Sequence, residues 1–184
     1  MSEGMADLEI VVVSAAPLNG ETPLERQDGL RTAVARHYIR NHFPVPDAHP
    51  GVLEIGGRVL RPLALTLADL RARPAETWLV TLECAGNGRR YLDPAVPGEQ
   101  WSLGAVGTAE WTGTRLGPLL DEVGVESDAV EALFEGADRG TPAGLGREIA
   151  FGRSLPIEWA RDTLLAWAMN GDPLPPEHGA PLRL

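Results

Sequence analysis

The chain has 184 residues, of which 43% are hydrophobic and 23% charged, and 26 acidic against 16 basic side chains give a formal net charge of −10. This length favours one domain with a real core, and the composition excludes a disordered chain. The acidic balance argues against nucleic-acid binding, and no apolar stretch reaches the roughly 18 residues of a membrane span. We therefore expect a cytoplasmic protein that binds neither nucleic acid nor membrane.

All 16 basic residues are arginine and none is lysine, so every basic side chain is a planar, permanently charged guanidinium. We attribute most of this bias to genomic base composition. The single cysteine, Cys84, excludes an internal disulfide and a zinc site built from several cysteines.

The predicted elements of the first half are short, because 21 Gly and 16 Pro punctuate the whole chain. We expect an N-terminal arm over 1–16 and one main domain over 17–184. The arm holds an edge strand at 10–13, followed by an irregular stretch at 17–23 and a helical one at 29–36. Gly56-Gly57 predicts a hairpin turn between strands at 52–55 and 59–60. Thr66 and Asp69 predict a capped helix at 67–72.

The second half alternates strands and short helices. A β-rich run at 78–83 leads into Cys84, 112–123 is predicted helical, and 130–134 is a strand followed by a glycine-rich loop at 136–146. Ser154 and Pro156 predict a helix start, and Asn170-Gly171 a sharp turn after a strand at 164–169. These elements lack the regular spacing of βαβ units, so an α+β fold with a mixed sheet is predicted.

The stretch Cys84-Ala85-Gly86-Asn87-Gly88-Arg89-Arg90 is the most informative segment for chemistry. Nearby guanidinium groups and free backbone N–H groups favour a thiolate, the form that binds metals or attacks electrophiles. Gly86 and Gly88 allow a large ligand to approach the backbone closely. Taken alone, a single cysteine is more often a small buried apolar residue.

Two other polar segments accompany the cysteine loop. Arg40-Asn41-His42-Phe43-Pro44-Val45-Pro46 places three donor-rich side chains ahead of a proline-stiffened stretch. His178-Gly179-Ala180-Pro181-Leu182-Arg183 places a histidine and an arginine five residues apart on an irregular segment. Alone, either segment is typical of a surface turn.

Five segments together, in order and spacing, resemble the molybdenum-cofactor domain of the sulfite oxidase family. They are 40–46, 84–89, 101–113, 134–138 and 169–183. The resemblance implies a mixed-sheet, sulfite-oxidase-type molybdopterin-binding fold. It also implies oxygen-atom transfer to or from a small anion such as sulfite, or a related sulfoxide or oxyanion, with a separate electron acceptor.

The resemblance also assigns roles to individual residues. Cys84 is the expected thiolate ligand of molybdenum, with a soft sulfur donor suited to this redox metal. Cofactor-binding roles at the pterin and metal pocket fall on Arg40, Asn41, His42 and Asp138.

The remaining roles concern anionic groups. His178 and Arg183 are placed at the phosphate end of the cofactor, where a guanidinium can bind phosphate oxygens in pairs. Arg89 and Trp101, together with Arg40, border the pocket for an anionic substrate. No haem is expected, because no histidine pair has a fitting context.

In family members the pattern continues beyond the stretch that matches Arg183. The resemblance therefore implies that the C-terminal part of the domain and the dimerisation domain are missing here, which leaves the oligomeric state open. Two alternatives to a molybdenum oxidoreductase remain. One is a non-catalytic or degenerate fragment that binds cofactor or a partner chain. The other keeps Cys84 as a nucleophile or redox thiol, with His42 or His178 as its base.

Overall fold

The computed structural model describes residues 8–27, 29–49, 51–142 and 144–184. Eleven strands and three short helices occur in these ranges, and every strand pair among them is antiparallel. The strands are β1 Val11–Ala15, β2 Leu18–Glu21, β3 Ile39–Arg40, β4 Val52–Ile55, β5 Leu63–Thr66, β6 Glu76–Glu83, β7 Val106–Arg115, β8 Glu131–Gly140, β9 Ile149–Pro156, β10 Leu164–Met169 and β11 Asp172–Pro173. The helices are α1 Leu67–Arg71, α2 Leu116–Val123 and α3 Ile157–Ala160. The predicted α+β class is confirmed.

A four-stranded sheet in the order β11-β10-β7-β6 carries the centre of the domain. Strands β6 and β7 pair over eight residues, from Glu76 opposite Gly113 to Glu83 opposite Val106. Gly113 is required where β7 meets β10, because a Cβ at this position would lie 2.1 Å from the carbonyl oxygen of Leu165. Strand β6 ends at Glu83, so this edge of the sheet stops directly before Cys84.

A smaller sheet has the order β1-β2-β3, and directly after β2 the Thr22 N–H donates to the Gly104 carbonyl oxygen at 2.8 Å, in the loop before β7. In β2, Asn19 pairs with Arg40 and Gly20 with Ile39. Strand β1 belongs to the predicted N-terminal arm and pairs with β2. Residues 1–7 of that arm lie outside the described residues, so the division at 16 and 17 stays a prediction.

Two hairpins and the helices complete the fold. Strands β4 and β5 form one hairpin, and β8 and β9 form the other, with an irregularity between Glu135 and Arg139. Buried apolar residues of β5, the three helices and β10 form one core cluster: Leu65, Leu70, Leu116, Leu119, Leu120, Ala160, Leu165 and Trp167. A second cluster lies within the four-stranded sheet: Ala109, Trp111, Leu164, Ala166, Met169 and Leu174. In the described part of the chain, no helix has the length and apolar character needed to span a bilayer.

Several local predictions are confirmed. Thr66 caps α1 as predicted: its hydroxyl accepts a bond from the Asp69 backbone N–H, and the Asp69 carboxylate accepts one from the Thr66 N–H. The strand that leads into Cys84 and the strand at 164–169 are both present. The turn after the latter uses Asn170 at φ 54° and Gly171 at φ 92°.

Other local predictions are wrong in an instructive way. Within the stretch predicted to be irregular, Leu18–Glu21 forms β2, because a hairpin with β1 and pairing with the more distant β3 supply its hydrogen bonds. Only Val34–Arg36 forms a helical turn in 29–36. The returning strand of the first hairpin is Leu63–Thr66 rather than 59–60.

The remaining errors concern where strands end. Helix α2 begins at Leu116, because 112–115 completes β7 in the central sheet. The glycine-rich loop predicted to start at Gly136 starts five residues later, since β8 continues to Gly140. Ser154 and Pro156 end β9, and α3 begins at Ile157. In each case a glycine- or proline-containing segment is held as a strand by its neighbour.

Candidate functional site

Cys84 lies at the end of β6, in a loop that β7 holds in place. Its backbone N–H donates to the Ala105 carbonyl oxygen at 2.9 Å, and its own carbonyl accepts from the Asn87 N–H at 2.8 Å. The Asn87 side chain then accepts from the Ala105 N–H at 3.0 Å. The cysteine is half-buried and packs against a buried cluster formed by Tyr38, Trp101 and Ala105. The thiol is therefore rigidly placed and still reachable.

Trp101 and Arg89 lie on the same loop region as Cys84. Trp101 is fully buried, and its indole Nε1 has no hydrogen-bond partner among the described residues. Arg89 donates from Nη1 to the Glu99 carbonyl at 3.1 Å. A Cβ at Gly86 would lie 2.5 Å from Nη2 of Arg89, so the glycine makes room for this guanidinium.

Arg40 and Arg89 are connected through Asn19 and Glu99. Asn19 is fully buried, and its Oδ1 accepts from the Asn41 N–H at 2.6 Å and from Arg40 Nη1 at 3.5 Å. Its Nδ2 donates to Glu99 Oε1 at 3.4 Å. Since Arg89 bonds to the backbone carbonyl of the same Glu99, one polar network joins the two predicted anion-pocket arginines.

His42 and Asp138 form the next part of the site, at the β8–β9 hairpin. The His42 ring lies 4.6 Å from that of Phe43 and 5.5 Å from that of Phe151. Desolvation lowers the pKa of His42, with smaller lowering contributions from the charges of Arg40 and Arg153, while Asp138 acts in the opposite direction. The predicted residues Arg40 and Asp138 therefore lie close enough to His42 to affect its pKa.

An open cleft of about 620 Å³ runs beside His42. Its walls include Phe43, Arg139 and Glu148, so apolar, cationic and anionic groups all face it. A volume of this size is typical of a site for a cofactor-sized molecule.

His178 and Arg183 lie at a buried end of the site, together with the rings of His37, Tyr38 and Trp111. Arg183 donates from Nη1 to the His178 carbonyl at 3.3 Å, and its guanidinium lies 4.7 Å from the centre of the Trp111 ring. Burial lowers the pKa of Arg183, which Tyr38 partly offsets. Burial lowers the pKa of His178 to about 3, with further lowering from the charges of His37 and Arg183. The imidazole is therefore neutral at pH 7.

One extended segment, 37–43, connects these parts. His37 and Tyr38 face the buried end, Arg40 and Asn41 join the network through Asn19, and His42 borders the cleft. The structure therefore brings the predicted residues to one continuous region. Among the described residues, no hydrogen bond links Cys84 to His42 or to His178, and no group of three or more His, Cys, Asp or Glu is arranged to hold a metal ion.

Sequence reasoning assigned nothing to His37, Tyr38 and Asn19. His37 and Tyr38 lie three and two residues before Arg40 of the Arg40-Asn41-His42 motif, and this proximity is the available sequence signal. Asn19 left no signal, because its role depends on the pairing of β2 with β3.

Residues 42–184 match the family model described as the oxidoreductase molybdopterin binding domain. The chain belongs to the oxidoreductase molybdopterin binding domain family. It is 39% identical over 181 residues to nitrate reductase (NADH) 1 of Oryza sativa subsp. japonica, covering 91% of this chain and 19% of that protein. It is 38% identical over 184 residues to mitochondrial sulfite oxidase of Mus musculus, covering 93% of this chain and 33% of that protein.

The fold is also similar to a solved structure of this family's type. The sulfane dehydrogenase SoxCD from Paracoccus pantotrophus matches with a TM-score of 0.75 and 31% identity, over 96% of this chain and 44% of that chain. This molybdopterin-binding domain thus spans between about a fifth and less than half of the length of these relatives. The predicted family and fold are confirmed, and family membership implies the molybdenum cofactor.

The described side chains fit such a cofactor. Cys84 offers one soft sulfur donor on a fixed backbone, as a thiolate-ligated redox metal requires. Arg40, Arg89 and Arg183 have no carboxylate within 4.0 Å among the described residues, so an anionic group finds unneutralised guanidinium groups there. Buried unpartnered nitrogens of His37, Trp101, Trp111 and His178 line the same region.

Proposed function

We propose that this domain binds the molybdenum cofactor through Cys84 and catalyses oxygen-atom transfer with a small oxyanion, of which sulfite is the first to test. The observation that carries the proposal is the combination at one site of a fixed, half-buried thiol with three arginines that lack carboxylate partners in the described part of the chain. A desolvated cation is unfavourable unless an anion neutralises it, and Arg183 is the desolvated member of the three. An anionic cofactor and an anionic substrate together supply that charge.

Each part of the site has a distinct role in this proposal. Cys84 supplies the protein's thiolate ligand. His42 at the cleft and Asp138 on β8 contact the pterin, and His178 and Arg183 hold the phosphate. When bound, the cofactor supplies the two-electron redox chemistry and the transferable oxygen, which no side chain can supply.

The substrate is held by Arg40 and Arg89 beside the cysteine. Asn19 and Glu99 fix the two guanidinium groups relative to each other, so the anion meets preoriented donors. Trp101, fully buried under this loop, excludes water from one side of Cys84. These arginines also raise the local concentration of an anion despite the net charge of −10.

Sulfite and nitrate are distinguished by experiment, because relatives named for each are similarly related to this chain. Sulfite is expected to reduce ferricyanide in the presence of the purified protein. Nitrate is expected to oxidise reduced methyl viologen if the chain is instead a reductase. A separate electron acceptor is part of the proposal. Cofactor binding without turnover of sulfite, nitrate or a sulfoxide favours the alternative of a non-catalytic cofactor-binding domain.

The decisive experiment measures molybdenum per chain in protein from a host that makes the cofactor. We expect about one molybdenum per chain in the wild type and almost none in Cys84→Ser, because a hydroxyl is a poor ligand for this soft site. Thr77→Ser, a conservative change on the same strand, serves as the control and retains the metal. A folded Cys84→Ser protein that keeps its molybdenum would contradict the proposal, and so would a metal-free wild type.

A further inference from the structure

Glu21 is a buried carboxylate at the end of β2, next to the loop that follows Trp101. The residue is 5% exposed. Both of its oxygens accept hydrogen bonds from Ser102: Oε2 from the backbone N–H at 2.8 Å, and Oε1 from the hydroxyl. No arginine among the described residues forms an ion pair with it. The carboxylate is therefore held by its hydrogen bonds to Ser102, without a cation to balance its charge.

Stability does not explain a charged group at this position. A buried charge without a partner of opposite sign is unfavourable, and hydrogen bonds offset only part of the lost hydration. What a carboxylate supplies is strength at its acceptors, because a hydrogen bond to an ionised oxygen is about twice as strong as one to a neutral oxygen. Glu21 therefore fixes Ser102 more firmly than an uncharged side chain of similar size would.

The residues around Glu21 hold β2 against the loop formed by residues 101–105. The Thr22 hydroxyl donates to the Val106 carbonyl oxygen at 3.0 Å, beside the backbone bond between Thr22 and Gly104. A Cβ at Gly104 would lie 2.2 Å from the Thr22 carbonyl oxygen, so only glycine allows this approach. One side of the loop is thus anchored to the end of β2.

The other side of the loop holds the backbone that carries Arg89. The Gly88 N–H donates to the Ser102 carbonyl oxygen at 2.5 Å, and the Arg90 N–H donates to the Trp101 carbonyl oxygen at 3.1 Å. Both residues that flank Arg89 are therefore bonded to the dipeptide that Glu21 holds. Any shift of this dipeptide is passed to the backbone of Arg89.

We propose that Glu21 is a positioning residue of the anion pocket, which fixes the Arg89 guanidinium by holding Ser102 in place. The proposal rests on the proposed function, since that function places the substrate anion at Arg89. Donors that are already fixed bind an anion more tightly, because little ordering is left to occur on binding. Loosening Ser102 is therefore expected to weaken substrate binding more than it slows the reaction.

Three variants divide the contacts of Glu21. Glu21→Ala removes both hydrogen bonds, Glu21→Gln keeps the shape and one acceptor oxygen without the charge, and Ser102→Ala removes only the hydroxyl bond. The last two preserve the test if Glu21→Ala fails to fold. The matched control is Thr114→Val, which removes a buried hydrogen bond at the far end of β7. Thr114 is 4% exposed, and its hydroxyl donates to the Pro74 carbonyl oxygen at 2.8 Å.

The first readout needs no cofactor. Cys84 is the single cysteine of the chain, so its alkylation by anionic iodoacetate and by neutral iodoacetamide can be compared in the cofactor-free protein. The ratio of the two rates reflects the cations beside the thiol, since exposure and thiolate content affect both rates. We expect the ratio to fall about fivefold in Arg89→Met and about threefold in Glu21→Ala. Smaller falls are expected in Glu21→Gln and Ser102→Ala, and none in Thr114→Val.

The second readout is steady-state kinetics with sulfite on protein of equal molybdenum content, with folding checked by circular dichroism. Glu21→Ala is expected to raise KM by about three- to tenfold, with a smaller change in kcat. Because Glu21 acts through Arg89, the two effects should not add. The double variant of Glu21→Ala and Arg89→Met is expected to have the KM of Arg89→Met alone.

The outcomes separate this proposal from the proposed function. If the folded Glu21 variants match the wild type in both readouts while the wild type oxidises sulfite, the positioning role is wrong and the function stands. If the wild type holds no molybdenum or does not oxidise sulfite, but Glu21→Ala lowers the alkylation ratio, the positioning role stands and the function fails.

Three further results would overturn the positioning role. An unchanged alkylation ratio in Arg89→Met would show that this arginine does not face the thiol. Additive effects of Glu21→Ala and Arg89→Met on KM would show that Glu21 does not act through Arg89. Equal effects of Thr114→Val and Glu21→Ala would show a general loss of stability instead of a local displacement.

Discussion

Two arginines show how differently this domain treats a guanidinium group on its surface and at its site. Arg73 lies 2.6 and 3.2 Å from the two carboxylate oxygens of Glu122, and this hydrogen bonding raises the pKa of Arg73. Arg183 contacts an aromatic face and a backbone carbonyl, and burial lowers its pKa. The surface arginine is neutralised in place, whereas the buried one is not.

The same contrast extends to other arginines. Arg58, Arg115 and Arg161 each lie within hydrogen-bond distance of an aspartate, while Arg40 and Arg89 bond to amide or backbone oxygens. Exposed ion pairs contribute little to stability, because water already solvates both charges. An unpaired cation that is partly buried, as Arg89 and Arg183 are, is unfavourable in the folded protein, so its position is better explained by ligand binding than by stability.

The largest expected effect is a loss of stability in acid that originates at the site. Burial lowers the pKa of His178 to about 3 in the folded protein, from the 6.5 usual for a solvated histidine. Between these values the unfolded chain binds the extra proton, so stability falls as the pH falls from 6.5 toward 3, by at most about 1.4 kcal/mol per pH unit.

Denaturant unfolding of the cofactor-free protein from pH 7 to pH 4.5 measures this slope. His178→Asn is expected to flatten it, whereas His49→Asn, at an exposed position, is expected to keep it. The difference between these variants removes the common contribution of the carboxylates. An unchanged slope in His178→Asn would show that the buried end opens to water before the ring is protonated.

The next effect concerns Arg183 and cofactor retention. Arg183→Met removes the charge and keeps an apolar side chain over Trp111, and we expect pterin content to fall about 10- to 100-fold, as for a lost charge-assisted hydrogen bond. Arg183→Lys keeps a charge without the planar fork, so we expect its pterin content to lie between those of the wild type and Arg183→Met. Arg73→Met, which removes a paired surface arginine, should retain full pterin. Equal losses in Arg73→Met and Arg183→Met would erase the contrast between the two regions.

A smaller effect is expected at the substrate end. Arg89→Met, and separately Arg40→Met, should raise KM for sulfite by about tenfold with a smaller change in kcat, because both arginines bind the anion before the reaction. Steady-state kinetics on protein with matched molybdenum content measures the change in KM. Arg115→Met, which breaks a surface pair with Asp162, is the control. An unchanged KM in both site variants would show that Arg40 and Arg89 do not bind the substrate anion.

Much of the fold followed from local sequence signals. The capping pair Thr66 and Asp69, the β-rich run before Cys84 and the turn at Asn170-Gly171 each depend on interactions within a few residues. The sequence predicts a helix over 112–115, because the strand state of these residues depends on β10, about fifty positions along the chain. It does not predict β9, because this glycine-containing segment becomes a strand through its hairpin with β8. Pairing across the sheet overrode the local glycine and proline signals.

The site was less predictable than the fold from the residues alone. Cys84 was identified from its loop and from the family resemblance, but Asn19 and His37 were not. Asn19 acts through a pairing between β2 and β3, and His37 through ring contacts with Trp111 and His178. Such contacts join residues more than 20 positions apart, and no short motif records them.

The smallest expected effect tests the surface side of the comparison. Arg161 forms an ion pair with Asp121 at 2.5 Å, and the two side chains are 37% and 70% exposed. Arg161→Met should lower the free energy of unfolding by about 0.2–1 kcal/mol, with cofactor content unchanged. Urea unfolding with and without 0.5 M salt, which is roughly enough to screen exposed charges, should show wild type and variant converging. A loss that persists in salt, or a fall in cofactor content, would mean that the surface arginines also support the site, and the division between paired and unpaired guanidinium groups would no longer hold.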